Sequence, residues 1–171
     1  ELMLFANYNL PVNPPDPERL SKSEAELPPA AAESIAVGLG YKFWGIFMAS
    51  AHTYNEILYG ADNIFNIDAV RPLGVFSAGL GVEIPLGGVG FVFDWQQVFT
   101  GAGAQAGIYT LSQSLRWGLT FSVTDHFALE GYTRRLAKFS ERAQEEYLSY
   151  EEDTRFHTVG FGMIIRCCRG R

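Results

Sequence analysis

The chain has 171 residues, of which 47% are hydrophobic and 19% are charged, so disorder is disfavoured and residues 1–171 are expected to form a single domain. The formal net charge of −6 argues against a nucleic-acid partner, because binding to phosphates needs a basic face. No run of about 18 apolar residues occurs, so the sequence predicts no membrane-spanning helix.

Eight segments of the sequence have the pattern of β-strands, in which successive side chains point to opposite faces. In chain order the segments are Leu2–Leu10, Ser34–Phe43, Trp44–Tyr54, Ser77–Ile84, Val89–Gln96, Leu111–Val123, Phe127–Leu136 and Val159–Arg166. The pattern is weaker in the first, the third and the seventh segment. In the five clearer segments, one face carries bulky apolar residues, Leu111 among them, and the opposite face carries mostly Gly, Ser and Thr.

The connections between these segments alternate in length. Tight turns are predicted at residues 43–45, 85–88 and 124–126, and long links at residues 11–33, 55–71, 100–107 and 140–153. This alternation predicts an all-β, up-and-down antiparallel barrel with the tight turns and both termini at one end and the long loops at the other. All the long loops except residues 100–107 have an excess of acidic residues.

Two kinds of eight-stranded barrel have strands in which apolar and polar or small residues alternate. A soluble, lipocalin-like barrel directs its apolar face inward and carries a hydrophobic ligand, whereas a transmembrane barrel directs that face to lipid and has a polar interior. The sequence favours the transmembrane barrel, because small residues suit the crowded interior of a narrow barrel. A closed barrel is also the one kind of sheet that satisfies all its backbone groups in lipid.

Charged side chains of both signs lie on the small-residue face, which indicates a polar lumen. Buried ions are expected to be paired, because an unpaired buried charge is very costly. The predicted lumen charge network consists of Lys42, Glu83, Asp94, Arg116, Glu130 and Arg134. Its expected role is to seal and stiffen the lumen.

Aromatic residues on the bulky face are predicted to form the belts that mark the two membrane–water interfaces. The predicted interface aromatics are Tyr41, Phe43, Trp44, Trp95, Tyr109 and Trp117.

The whole layout resembles the small eight-stranded outer-membrane β-barrel proteins of Gram-negative bacteria, the OmpA/OmpX type. The segments Val37–Phe43 and Val159–Arg166 carry the resemblance, and the second is similar to the terminal assembly signal of that superfamily. Cys167 stands where that signal has an aromatic residue. The resemblance implies an integral protein of the bacterial outer membrane with periplasmic termini, short periplasmic turns and long outer loops.

The resemblance also implies a non-enzymatic structural, adhesin-like or interaction subunit that acts through its acidic outer loops. Membrane lipid and lipopolysaccharide are the expected partners, with another envelope protein or a larger complex as a further candidate at residues 11–33, 55–71 and 140–153. No cofactor and no metal site is predicted, and the adjacent Cys167 and Cys168 lack the spacing of a zinc site.

The sequence leaves two other membrane functions open. A narrow conduit would need a water path past the charged lumen, for which an eight-stranded barrel has little room. A lipid-modifying enzyme would need a nucleophile, a base and an orienting group within hydrogen-bond reach. The weak candidates for these roles are Ser50, His52 and Glu56, with Ser50 and His52 expected on the same face of one strand.

Overall fold

Eight antiparallel strands form one closed barrel in this computed structural model, which describes residues 1–12, 33–60, 63–101, 107–143 and 156–167. The strands are β1 (Leu2–Pro11), β2 (Ser34–Phe43), β3 (Phe47–Gly60), β4 (Asn63–Leu86), β5 (Val89–Thr100), β6 (Tyr109–Ser122), β7 (Phe127–Ala137) and β8 (Phe156–Cys167). Each strand pairs with its neighbour in the chain, and β1 pairs with β8 to close the barrel. The predicted fold class, an all-β up-and-down barrel of eight strands, is confirmed.

The tight turns lie at one end of the barrel, as predicted. Residues 44–46, 87–88 and 123–126 connect β2 to β3, β4 to β5 and β6 to β7. Leu2 is paired with both Tyr41 and Cys167, so the first and last strands also meet at this turn end. The opposite end, where the long connections lie, is called the loop end below.

The prediction of a loop at residues 55–71 is wrong. Strand β3 continues to Gly60, β4 begins at Asn63, and the two pair as a hairpin over this stretch. β2 pairs with β3 only as far as Asn55, and β5 pairs with β4 only as far as Val75, so the hairpin extends beyond the rim as a two-stranded ribbon. Its sequence is rich in β-formers such as Ile57 but does not alternate, because a ribbon beyond the rim has no core face.

The two faces of the sheet differ in polarity as the prediction of a transmembrane barrel requires. The outward side chains are bulky and apolar, and several are more than half exposed, such as Leu39 at 57%, Leu80 at 62% and Phe161 at 55%. The inward side chains include buried Asp94, Arg116 and many small residues. The lipocalin-like alternative, which requires the apolar face inside, is therefore wrong.

The prediction that the Leu111 side chain on β6 faces outward is wrong, because it is fully buried inside the barrel. The β5–β6 register shifts at Val98/Phe99, so that Val98 pairs with Ser112 while Phe99 pairs with Thr110. The extra residue of this bulge is Leu111, and a bulge changes the facing of the residues beyond it.

Residues 141–143 form a helical turn just after β7. Among the described residues, no helix has the length and apolar character needed to cross a membrane.

Candidate functional site

The lumen is closed at the turn end by hydrogen bonds that converge on Glu83. Its carboxylate accepts from Lys42 Nζ at 2.7 Å, from Thr120 Oγ1 at 2.8 Å and from Arg166 Nη2 at 2.8 Å. Arg166 also lies 3.7 Å from the carboxylate of Glu1. The donors come from β2, β6 and β8, so this cluster ties distant strands together across the lumen.

A layer of apolar side chains lies next to this cluster, towards the middle of the barrel. It consists of Met3, Phe5, Met48, Val92, Ala128 and Ile164, all of them buried. Three of these residues lie opposite charged members of the turn-end cluster: Met48 is paired with Lys42, Val92 with Glu83 and Met3 with Arg166.

The central charges are held by Arg116. Its Nε donates to Asp94 Oδ2 at 2.5 Å, and its Nη1 donates to Glu130 at 3.4 Å. The guanidinium carbon also lies 4.9 Å from the centre of the Tyr132 ring and 5.9 Å from that of Phe5. One buried cation therefore bridges two buried carboxylates between aromatic rings.

Towards the loop end, the central charges are followed by a polar level. Tyr54 and Gln96 both hydrogen bond to the hydroxyl of Ser77, at 3.2 and 2.8 Å. Tyr132 donates to Asn9 Oδ1 at 2.5 Å. Arg134 is buried with its guanidinium carbon 4.8 Å from the centre of the Tyr54 ring.

Inward glycines make room for these large polar side chains. Gly160 and Gly118 pair with Tyr132 from the two neighbouring strands, and a Cβ atom on either glycine would overlap the tyrosine. Gly38 pairs with His52 in the same way, and an added Cβ would overlap the imidazole ring. The Gly-rich inner face is thus the steric complement of the large side chains opposite it.

An apolar cluster closes the loop end of the lumen. Its buried members are Ala36, Tyr54, Val75, Val98, Leu111, Leu136, Phe139, Ala143 and Phe156. Phe139 and Ala143 come from the segment that follows β7, and Phe139 packs edge-on against Phe156 with the ring centres 5.6 Å apart. The backbone N–H of Ser140 donates to Leu111 O at 3.0 Å, which fixes this segment over the mouth.

The candidate enzyme residues do not form a catalytic arrangement. Ser50 and His52 both lie inside the lumen on β3, and neither hydrogen bonds to the other in the described part of the chain. The His52 ring packs against Phe5 with the ring centres 5.1 Å apart, and its Nε2 has no hydrogen-bond partner within the described ranges. Glu56 lies farther along β3, beyond the register shift at Tyr54/Asn55.

A small cavity lies beside His52 in the lumen. Its lining includes Asn7, Gln96 and Arg116, and it leaves room for about one water-sized molecule. Asn7 Oδ1, His52 Nε2 and Arg116 Nη2 have no hydrogen-bond partner among the residues that the structure describes. These groups fit a single ordered molecule that hydrogen bonds to several of them.

The candidate interface aromatics divide into three groups. Tyr41, Trp95 and Trp117 lie on the outward face of their strands, and Trp44 is 85% exposed at the β2–β3 turn, where it packs edge-on against Phe43. Tyr109 differs from the expectation, because it is partly buried against the loop-end cluster with Arg142 over its ring at 4.0 Å.

Sequence reasoning missed several groups that complete the lumen. Glu1 belongs to the turn-end cluster, and so does Arg166, which alternation places on the small-residue face but which the predicted network leaves out. Asn7, Asn9 and Gln96 lie at the central and polar levels. Their inward facing follows from strand alternation, but their pairing depends on register between strands that the sequence does not specify. The contribution of Phe139 depends on the path of a connection and has no periodic signal.

Other predicted features lie partly outside the described residues. The loop at 11–33 falls almost wholly there, as do residues 144–153 of the loop at 140–153, and Cys168. Cys167 ends β8 and is a free thiol. Within the described ranges, no group of His, Cys, Asp and Glu is arranged to hold a metal ion.

The chain was compared with known proteins. No family model and no curated protein matches its sequence. A designed transmembrane β-barrel aligns at 9% identity with a TM-score of 0.53, over 97% of this chain and 94% of that one. The N-terminal barrel domain of Pseudomonas aeruginosa OprF aligns at 10% identity with a TM-score of 0.50, over 96% and 95% of the two chains. The chain therefore has the fold of small eight-stranded transmembrane β-barrels.

Proposed function

We propose that the protein is a non-enzymatic barrel of the bacterial outer membrane that serves as a structural or interaction subunit, with a sealed lumen. The observation that carries this proposal is the contrast between the two faces of the wall. The outer face is apolar at Leu39, Leu80 and Phe161, whereas the inner face carries the paired Asp94, Arg116 and Glu130. Lipid accepts the first face and penalises the second.

The packing of the lumen supports a sealed barrel and disfavours a conduit. A water path would have to pass the hydrogen bonds around Glu83, the apolar layer, the ion pairs of Arg116 and the loop-end cluster. Each of these levels fills the lumen with side chains from several strands. The cavity beside His52 has room for about one water-sized molecule, which is too little for a continuous column of water.

The placement of the candidate catalytic residues disfavours lipid chemistry. A lipid-modifying enzyme must bring a nucleophile to the acyl or headgroup bond of a lipid. Ser50 and His52 instead face the lumen and are buried, on the side of the sheet opposite to the lipid.

We further propose that the turn end faces the periplasm and the loop end faces the cell exterior. Outer-membrane barrels generally have short periplasmic turns and longer outer loops, and this chain has short turns at a single end. The acidic residues of 11–33, 55–71 and 140–153 would then lie outside the cell. There they favour a basic protein partner, or divalent cations shared with the phosphates of lipopolysaccharide.

Electrophoresis with and without heating tests the proposal most directly. The protein should be recovered in the outer-membrane fraction and should migrate differently in mild SDS before and after boiling, because a closed barrel resists the detergent until it is heated. Cysteine-reactive labels applied to intact cells then test the orientation, with Gly88→Cys and Gly101→Cys introduced singly in a chain whose own cysteines are replaced by serine. Labelling at Gly101 alone is expected, and a protein that is soluble without detergent would contradict the proposal.

A further inference from the structure

Three basic side chains lie together on the outer wall near the loop end. Arg135 is on β7, His157 lies directly opposite it on β8, and Lys138 follows the last residue of β7. Arg135 and His157 alternate with buried residues and so face outward, and Lys138 is exposed. We call Arg135, Lys138 and His157 the outer basic patch.

The patch lies where the apolar band of the wall ends. Arg135 is separated from Phe127, at the turn end of β7, by about 26 Å along the strand and therefore by about 20 Å along the barrel axis. An outer-membrane barrel has an apolar band about 25 Å tall. The outward neighbours one row closer to the turn end are Trp117, Thr133 and Val159. Arg135 is thus about 5 Å from the loop-end edge of the apolar band, where a long basic side chain reaches the lipid headgroups.

The basic side chains of the patch have no partner in the described part of the protein. None of the three makes a side-chain hydrogen bond or ion pair there, and the buried Nε of Arg135 lacks an acceptor. The lumen cations Lys42 and Arg116, in contrast, both form ion pairs. The patch therefore has unused donors that face the surroundings of the barrel.

The patch is also confined to one side of the wall. The residues at the corresponding height on β1 to β5 face outward and are uncharged: Leu10, Ile35, Asn55, Phe76 and Gln97. A general attraction to anionic lipid would not need such a concentration of basic groups on β7 and β8. A local site for one anionic headgroup accounts for it.

We propose that the outer basic patch binds the phosphate group of an outer-leaflet lipid, whose acyl chains lie along the wall near Trp117 and Val159. This inference rests on the proposed membrane function and adds a defined lipid site to it. A guanidinium offers two parallel N–H donors to phosphate oxygens, and a neighbouring ammonium adds a second positive charge. Basic residues near a membrane surface favour anionic headgroups by this electrostatic attraction.

Quenching of Trp117 by brominated lipid tests the site. The full chain, with Trp44→Phe and Trp95→Phe so that only Trp117 fluoresces, is reconstituted in phosphatidylcholine vesicles. A minor fraction of either brominated phosphatidic acid or brominated phosphatidylcholine is added. The phosphatidic acid should be enriched about fivefold around Trp117 for each basic residue that acts on it. Arg135→Gln with Lys138→Gln should remove this enrichment, whereas Arg142→Gln, which removes a charge at the mouth, should leave it unchanged.

Three outcomes would overturn the inference. Equal quenching of Trp117 by the two brominated lipids would show that no site exists, while leaving the membrane barrel intact. Loss of the enrichment in inorganic phosphate at a concentration no higher than that of the phosphatidic acid, but not in sodium chloride of equal ionic strength, would show that the patch binds a free anion instead of a lipid. A lack of quenching by either lipid would show that the wall does not contact lipid, and the proposed function would fail together with the inference. The heat-dependent gel shift of each variant verifies that it is folded.

Discussion

Arg116 is the residue on which the centre of the lumen depends. It bridges Asp94 and Glu130, and all three side chains are buried. Replacing Arg116 with Met would leave two carboxylates close together and without their cation. We expect a loss of about 3–5 kcal/mol in the free energy of unfolding, which is typical when one partner of a buried ion pair is removed. Urea titration in detergent micelles measures it.

Arg142→Gln is the matched control for this substitution, because it removes the same charge from an exposed arginine. Its guanidinium lies 4.0 Å from the centre of the Tyr109 ring, so the expected loss is below about 1 kcal/mol. Equal stability of the Arg116→Met and Arg142→Gln variants would show that the central ion pairs do not stabilise the fold.

Gly160 tests the steric match between glycines and large side chains. A Cβ atom at this position would overlap the ring of Tyr132, whereas a Cβ at the outward Gly131 meets no atom within 4 Å. We expect Gly160→Ala to lower the free energy of unfolding by about 1–3 kcal/mol, the usual cost of overpacking. Gly131→Ala should change it by less than about 0.5 kcal/mol. The same urea titration compares them, and the reverse order would contradict the steric match.

Among the elements, the β3–β4 ribbon is the one without which we expect the barrel to fold. Beyond Asn55 and before Leu73 its strands pair only with each other. We expect that deleting residues 57–70 and joining the strands through an Asn-Gly turn leaves the heat-dependent gel shift intact, because no pairing with β2 or β5 is removed. Gly79→Val, in the same β4 but within the wall, should abolish the shift, since its Cβ would overlap Trp95 O. Loss of the shift on deleting the ribbon would show that it supports the barrel.

At the scale of the whole molecule, the filled lumen predicts that the barrel does not conduct ions. Purified protein in planar bilayers should show no steady conductance steps above the bare membrane, because charged, apolar and polar side chains fill the lumen between the two ends. The conductance of the OprF barrel domain, which has the same fold, is measured at equal protein concentration for comparison. Reproducible steps from this chain would favour the narrow conduit instead.

The sequence predicts the architecture of the molecule well, because alternation is a local property. β2 begins and ends where the pattern predicts, at Ser34 and Phe43, and the turn end is correctly placed. The inward facing of Lys42 and Arg116 also follows from alternation, because both lie on the small-residue face.

The remaining features depend on register and could not be predicted. That Arg116 bridges Asp94 and Glu130 requires the pairing of β6 with both β5 and β7. The bulge that turns Leu111 inward is an insertion of a single residue, which the hydrophobic pattern does not reveal. The β3–β4 ribbon lacks alternation because neither of its faces belongs to the barrel, so the hydrophobic pattern does not distinguish it from a loop.

The bond from Tyr132 to Asn9 joins residues separated by 123 positions, and Glu83 receives donors from Lys42 and Arg166 on opposite sides of it in the chain. Neither the Tyr132–Asn9 bond nor the Arg166–Glu83 bond can form until β1 has met β8. A half-formed barrel would therefore have both unpaired strand edges and charges without their partners. Partly folded intermediates are expected to have little stability for this reason. Folding is expected to be slow and close to all-or-none, with closure of the β1–β8 seam as the step that commits the chain.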